Sequence, residues 1–255
     1  MSGPHVRVAI EGGLARLTLD RPPLNVLTTA MMEELASALS VVASRDDVRV
    51  VRLDAAGKHF CAGVDVADHE GDRLAPMMRA LAALFLAFEE APQPVVAVVQ
   101  GVCLGGGLEL VLACDLAVAS DAATFGQPEI KLGVFAPPAS VLLPRIAGLG
   151  IARGMLLTGE PIAASEAKAC GLVHAIAGAG ALDGEAERFV AKLLALSGAA
   201  LRQAKRALRE GCGLPLRRAH ERVHELYMDE LMATADAAEG LSAFVEKRPP
   251  VWTHR

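Results

Sequence analysis

Five apolar residues, Val95 to Val99, four of them valine, run almost directly into Gly101-Val102-Cys103-Leu104-Gly105-Gly106-Gly107-Leu108-Glu109-Leu110. A short run of β-branched residues without polar alternation is what a strand covered on both faces requires. The glycines that follow let the backbone bend sharply and leave amides bare to a ligand. The apolar residues after them open a buried helix, so the segment commits this part of the chain to α/β architecture. The start of that helix presents unpaired N–H groups and a partial positive charge. Such groups suit an oxygen that gains negative charge during a reaction. Glu109 lies three residues past Gly106, about one helical turn in. A glycine-rich turn with a hydrogen-bonded core Glu would look the same without any chemistry.

The remaining pattern agrees with α/β and then changes. Val6, Val8 and Ile10 alternate, Gly12-Gly13 turn the chain, and Leu14, Leu17 and Leu19 resume, which predicts a hairpin. Met31 to Val42 has helical spacing with Thr28 or Thr29 as cap. Val48 to Leu53 and Leu116 to Ala119 read as short strands, and Leu74 to Phe88 as a helix. From about Gly150 the strand signal fades. Helical spacing then continues through Met155, Ala163–Ala169, Ala186–Leu196, Leu201–Leu208 and Leu216–Met232. The expected division is an α/β core over residues 1–195 and a helical region over 196–255. The amphipathic stripe of that tail must be buried, on its own core or on a second subunit.

Composition excludes several classes. With 255 residues, 53% hydrophobic and 22% charged, the chain can build a large core and is neither disordered nor fibrous. A net charge of −5 and nine aromatic residues in all, seven Phe, one Trp and one Tyr, argue against a nucleic-acid surface. An anionic ligand would need local cations. Cys61, Cys103, Cys114, Cys170 and Cys212 are odd in number, widely spaced and free of C-x-x-C, as expected of reduced thiols in a cytoplasmic protein. No signal peptide is visible, and the longest apolar run, Leu81 to Phe88, is too short to span a bilayer. No membrane partner is expected.

Two further segments bear on chemistry. In Phe125-Gly126-Gln127-Pro128-Glu129-Ile130-Lys131-Leu132-Gly133, Pro128 keeps the stretch out of a helix interior and predicts Glu129 on a loop. Alone, Glu129 is an ordinary surface acid. With Glu109 it forms a pair that can divide acid and base roles if the two environments separate their pKa values. Ala55-Ala56-Gly57-Lys58-His59-Phe60-Cys61-Ala62-Gly63-Val64-Asp65 follows the Val48–Leu53 strand and offers small residues and a possible second amide.

Together these segments resemble the enoyl-CoA hydratase/isomerase (crotonase) superfamily. The resemblance runs from Arg21-Pro22-Pro23-Leu24-Asn25-Val26-Leu27 to Phe244-Val245-Glu246-Lys247-Arg248. It implies a crotonase-type spiral of ββα turns with a C-terminal helical region that covers the site and assembles trimers or dimers of trimers. It implies that Val64 and Gly106 donate the two oxyanion-hole N–H groups and that Glu109 and Glu129 are the acid/base pair. Asn25, Lys58, Ala62, Asp65, Val66 and Lys247 are the implied coenzyme A contacts. No metal or separate cofactor is implied, because coenzyme A belongs to the substrate.

A narrower resemblance lies in Val134-Phe135-Ala136-Pro137-Pro138-Ala139-Ser140, where ordinary hydratases carry a glycine-rich loop. Together with Glu230-Leu231-Met232-Ala233 and Asp236-Ala237-Ala238-Glu239-Gly240-Leu241, it is similar to cyclohexa-1,5-diene-1-carbonyl-CoA hydratases. Those add water in a 1,4 sense across a ring diene conjugated to the thioester. Two prolines predict a stiff loop, and Phe135 and Pro137 an apolar wall for a flat ring. Cys61-Ala62-Gly63-Val64-Asp65 is nearer the general family pattern. A general short-chain enoyl-CoA hydratase, or an isomerase sharing the oxyanion site, is therefore the alternative.

Rival motifs are present. His220-Glu221-Arg222-Val223-His224 is a literal H-E-x-x-H, which can hold zinc on a helix face, with Glu239 or Glu246 as third ligand. Its Arg222 and flanking Arg217, Arg218 and Glu225 fit a solvated helix face instead. Gly148-Leu149-Gly150 lacks dinucleotide-loop spacing and predicts a helix-entry turn. Ser165-Glu166-Ala167-Lys168 has S-x-x-K spacing inside a helical run and predicts an exposed turn. A non-catalytic scaffold of the same fold would not need both acids.

Overall fold

The computed structural model describes residues 5–178 and 180–255. They divide into two compact units. The first comprises the chain up to Ala91 and Val95–Val190, and the second Pro92–Pro94 and Ala191–Arg255.

In the first unit the hairpin forms as expected from β1 (Val6–Glu11) and β2 (Leu14–Leu19). Helix α1 (Thr29–Ala43) is capped by Thr28, whose hydroxyl accepts the Met31 N–H at 3.3 Å. Strand β3 (Val50–Ala55) starts two residues later than the apolar run suggests; Val48 is buried but lies ahead of the ladder. Then follow α2 (Leu74–Glu90), β4 (Val95–Val99), β5 (Val102–Leu104), α3 (Gly106–Ala113), β6 (Leu116–Ser120) and β7 (Thr124–Gly126). The unit closes with α4 (Pro137–Thr158), β8 (Ile162–Ala163), α5 (Ala164–Ala169), β9 (Ala175–Ala177) and α6 (Leu182–Leu194), the last running past its boundary.

Two sheets result. The larger has the order β1-β2-β3-β4-β6-β9, antiparallel in the hairpin and parallel elsewhere. Register aligns Leu17, Leu53, Ala97 and Ala117 across four strands, and all four are buried. This row lies in the buried core to which α1 and α2 also contribute. The smaller sheet, β5-β7-β8, carries the site. Arg52 is buried in β3, where it pairs with Asp54 and Asp183, as a buried guanidinium must.

Several expectations are corrected. Strands β8 and β9 occur after Gly150, where the pattern shows only helices; at two and three residues they are too short to display a period. Glu129 sits on a single 3-10 turn, Pro128–Leu132, rather than a loop, because proline suits the first position of a helical turn. The same rule applies to Pro137 and Pro138, which start α4 instead of stiffening a loop. Gly148, at φ 82°, ψ 157°, breaks α4, so the expected helix-entry turn lies between two helical halves. Helix α4, with 22 residues and a mean hydropathy of 1.4, is long and apolar enough to cross a membrane by those measures. The break leaves two helices of about half that length, each short of the ~20 residues a span needs.

The second unit holds α7 (Gly198–Gly211), α8 (Leu216–Glu225), a π-helical turn over Leu226–Leu231 and α9 (Ala235–Glu246). The expected continuous run Leu216–Met232 is therefore interrupted. Buried Asp236 accepts the Ser197 hydroxyl at 2.5 Å and the Thr253 N–H at 2.7 Å, fixing the C-terminal segment. Leu241, Phe244 and Val245 on α9 are exposed, Phe244 by 84%.

Candidate active site

The site is assembled from the ends of short strands. Parallel pairing sets Leu104 of β5 opposite Gly126 of β7, and the Gly105 N–H donates to the Gly126 carbonyl at 2.9 Å. That pairing brings the turn bearing Glu129 beside the start of α3. A β-bridge between Cys61 and Cys103 lays the Cys61–Asp65 segment on the other side of β5, and the Leu104 N–H donates to the Cys61 carbonyl at 2.9 Å. A second bridge joins Leu27 to Val64: the Leu27 N–H donates to Gly63 and the Asp65 N–H to Leu27. The Val64 amide between them donates to no described residue.

Gly106 opens α3, and its amide, like that of Val64, donates to no described residue. A Cβ on Gly106 would lie 2.7 Å from Val64 Cγ2 and 3.3 Å from Val64 N. Only a bare Cα lets the two unbonded amides come this close. Gly105 adopts φ 53°, ψ −128°, and a Cβ there would lie 2.6 Å from Glu129 Oε1 and 3.5 Å from Gly63 Cα. The Glu129 carboxylate thus presses on the turn between the two amides.

Glu109 is 3% exposed on an otherwise apolar helix. Its Oε1 accepts the Ala139 N–H, in the first turn of α4, at 3.0 Å. Burial, reinforced by the charge of Glu129, pushes its carboxyl up to about 8 against the lowering effect of the Ala139 bond. Burial also raises Glu129, while its own backbone N–H and the charge of His69 pull it back. Gln127 is buried and, with its amide turned to donate, lies 3.0 and 2.9 Å from the two Glu129 oxygens. Buried Cys61, raised to about 12 by desolvation, is held as a neutral thiol that accepts the Gly63 N–H at 3.4 Å.

The other expected site residues are distributed as follows. Asn25 is fully buried with φ 49°; its amide donates to Ala56 and His59 carbonyls at 2.9 Å each and accepts the Arg21 N–H at 2.8 Å. Its side chain is spent on shaping its loop. Lys58 is exposed on the loop before Cys61, and Ala62, Asp65 and Val66 flank Val64 in sequence. Asp65 caps the 3-10 turn Val66–His69. Phe135 is 68% exposed, between the Glu129 turn and α4, and Pro137 is exposed at the first position of α4. Lys247 belongs to the second unit, in left-handed conformation at the end of α9.

Sequence reasoning missed Gln127, Ala139 and His69. Gln127 had a visible signal, a polar residue beside an apolar strand end. Ala139 and His69 had none, since their importance comes from chain segments far apart in sequence. The H-E-x-x-H helix gains no third ligand: among the described residues no three His, Cys, Asp or Glu can hold one metal ion. Glu221 faces Arg217 and Arg218, and Glu239 and Glu246 both pair with Arg248.

Two bare amides, the buried carboxyl of Glu109 and the half-buried one of Glu129 on a two-sheet α/β frame define an enzyme of the crotonase fold. The enoyl-CoA hydratase/isomerase family pattern matches residues 9–255, so the chain belongs to that family and is a hydro-lyase of the enoyl-CoA hydratase type. It is 40% identical over 248 residues to cyclohexa-1,5-dienecarbonyl-CoA hydratase of Thauera aromatica, covering 96% of this chain and 95% of that protein. The crystal structure of enoyl-CoA hydratase from Mycobacterium smegmatis superposes with a TM-score of 0.93 at 36% identity, covering 98% and 99% of the two chains. An enoyl-CoA hydratase structure from Geobacillus kaustophilus HTA426 superposes with a TM-score of 0.94 at 30% identity, covering 100% and 98%.

Proposed function

We propose that the protein hydrates a conjugated unsaturated acyl-CoA thioester, with cyclohexa-1,5-diene-1-carbonyl-CoA as the favoured substrate. One observation carries the hydration chemistry: the unbonded amides of Val64 and Gly106 converge beside two carboxyls that burial raises. The thioester oxygen accepts both N–H groups, and the conjugated double bond becomes electron-poor. One Glu takes a proton from water, whose oxygen bonds to the distal carbon. Electrons move to the thioester oxygen, where the two amides hold the enolate. The other Glu returns a proton to carbon, so one water is added and the pair ends with the protons it began with. Burial raises both carboxyls, Glu109 to about 8, so Glu109 can hold a proton near neutrality. No cofactor enters, since coenzyme A is the substrate's own handle.

Support for the cyclic diene comes from the Thauera aromatica relative and from the proline-bearing segment with Phe135 that replaces a glycine-rich loop. Lys58 and Lys247 are the cations proposed for the coenzyme A phosphates, with Ala62, Asp65 and Val66 lining the ligand's path and Asn25 holding the loop. Exposed Phe244 and Val245 on α9, and Leu149 and Leu157 on α4, favour a homo-oligomer, a trimer or dimer of trimers. Five free thiols suit the cytoplasm.

Hydration rates with crotonyl-CoA and cyclohexa-1,5-diene-1-carbonyl-CoA test the proposal. A tenfold or greater preference in kcat/KM for the cyclic diene is the expected result. The opposite preference makes this a general short-chain enoyl-CoA hydratase, and no turnover of either ends the hydratase assignment.

A further inference from the structure

The second face of the larger sheet carries polar residues that the hydration scheme leaves unused. Side chains alternate along a strand, so Leu17, Leu53 and Ala97 face the core while Arg16, Thr18, Arg52, Asp54 and Val98 face the other way. Strands paired in parallel normally bury apolar residues on both faces. Here the register sets Arg16 directly beside Arg52, and Thr18 between Arg7 and Asp54. Like charges side by side on a sheet repel. These side chains line a cleft of about 700 Å³, whose apolar wall includes Val8, Val98 and Leu182. Its lining shares no residue with the Val64, Gly106, Glu109 and Glu129 site.

The cleft holds more donors than its own acids take up. Arg52 is 3% exposed; its Nε donates to Asp54 Oδ1 at 2.8 Å and its Nη2 pairs with Asp183. Its Nη1, also buried, has no hydrogen-bond partner among the described residues. Asp54 Oδ2 is likewise without a hydrogen bond, lying 3.6 Å from Arg16 Nε. The second acid near Arg16, Glu187, is 3.9 Å away, so Arg16 donates no hydrogen bond to a described residue. Arg7 engages Asp20 through Nε at 2.8 Å, which leaves its two NH2 groups. The Thr18 hydroxyl bonds to no described residue. Each guanidinium presents five N–H donors in a fixed fork. A ligand that accepts hydrogen bonds suits this lining.

The charge balance selects its head group. Three guanidinia against two carboxylates leave the lining with one positive charge, and Asp20 and Glu187 outside it temper the field. A singly charged carboxylate matches this balance, whereas a doubly charged phosphate meets more repulsion from Asp54. The volume is far larger than one carboxylate and is that of a small-molecule site. We propose that the cleft binds a small organic carboxylate. Its head accepts forked hydrogen bonds from Arg16 and one from the Thr18 hydroxyl, and its charge offsets the Arg16–Arg52 repulsion. Its apolar body lies on Val8, Val98 and Leu182. The site is separate from the acid/base pair, and the inference does not rest on the hydratase function proposed above.

The test is a calorimetric titration of the protein with benzoate at low salt, in the presence of excess coenzyme A so that the thioester site is already filled. Benzoate is expected to bind with a Kd of about 1 mM or tighter. Benzamide, its neutral counterpart, is expected to bind at least about tenfold more weakly, because only a charged head forms the guanidinium fork. Arg16→Gln removes that fork at a partly exposed position and is expected to weaken benzoate by about tenfold or more. Thr18→Val keeps the shape of the side chain, removes one donor, and is expected to weaken it by about threefold or more; it decides the matter if Arg16→Gln does not fold. Absence of saturable benzoate binding overturns the proposal. So does equal binding of benzoate and benzamide, or benzoate binding that neither substitution changes. Tighter binding of inorganic phosphate than of benzoate overturns the choice of a carboxylate. Benzoate that binds only without coenzyme A overturns the separate site, because it then occupies the thioester path.

Discussion

Oε1 of Glu109 accepts the N–H of Ala139 at 3.0 Å, and Ala139 is the first residue of α4 with an N–H to give, since Pro137 and Pro138 have none. The bond favours the charged carboxylate. Burial opposes it and wins, aided by Glu129. The result is a carboxyl held in place by one helix terminus yet protonated near neutrality.

The two carboxyls should be individually indispensable. Glu109→Gln and Glu129→Gln keep shape and lose proton transfer, so each is expected to lower kcat by about 10²–10⁴. Binding of an unreactive acyl-CoA analogue, measured by calorimetry, should change less than about threefold, because the amides of Val64 and Gly106 remain. Wild-type turnover in either variant removes that residue from the mechanism.

Glu109 also predicts a pH-dependent stability. Its folded pKa is raised from 4.5 to about 8, so its contribution is fully present below pH 4.5 and is lost as pH rises through 8. The loss is on the order of 3–5 kcal/mol once the carboxyl is ionised. Glu109→Gln carries no such charge. Its melting temperature should match the wild type near pH 5 and exceed it clearly at pH 9. Parallel stability curves for the two proteins would show that Glu109 is not a buried acid.

Which parts of this site the sequence discloses follows from the range of the interactions. The β4 strand, the glycine turn and Glu109 are local: five apolar residues, three glycines and one acid within fifteen positions. Glu129 is visible as a residue, but its proline places it on a 3-10 turn that resembles a loop until the chain is folded. Val64 comes to Gly106 only through the bridges Leu27–Val64 and Cys61–Cys103, pairings with no local signature. Gln127 lies only two residues before Glu129, but its amide reaches that carboxylate through the turn between them. Pro137 and Pro138 look like loop stiffeners yet begin α4, because a helix start tolerates missing N–H groups. Strands β8 and β9 escape notice because two or three residues cannot express a period of two.

Helix α8 should be indifferent to metals. His220 and His224 lack a third ligand among the described residues, and the intervening Glu221 faces two arginines. Dialysis against a zinc chelator, and the double substitution His220→Ala with His224→Ala, are expected to leave hydration within about twofold of the untreated wild type, since surface changes of this kind typically shift stability by under ~0.5 kcal/mol. Stoichiometric zinc in the purified protein, with activity that falls on its removal, would instead favour a zinc hydrolase built on this helix.

Gly105 is the position where backbone geometry and acid placement are most tightly tied. At φ 53°, ψ −128° it occupies a region that residues with a Cβ avoid, and the added methyl of Gly105→Ala would meet Glu129 Oε1 at 2.6 Å. Two effects follow with different readouts. Backbone strain costs about 1–3 kcal/mol and lowers the melting temperature. Displacement of the carboxylate by even a fraction of an ångström takes it out of line with the water and carbon it must serve, and a misplacement of 1 Å is worth about 10² in rate. The expected variant is folded, several degrees less stable, and slower by about 10–10² in kcat. Adding Glu129→Gln to Gly105→Ala separates the effects. If the methyl acts by moving Glu129, the double variant is no slower than Glu129→Gln alone, while the loss of stability from strain persists. Fully additive rate losses would mean that Gly105 shapes the amides of the turn rather than the position of the acid.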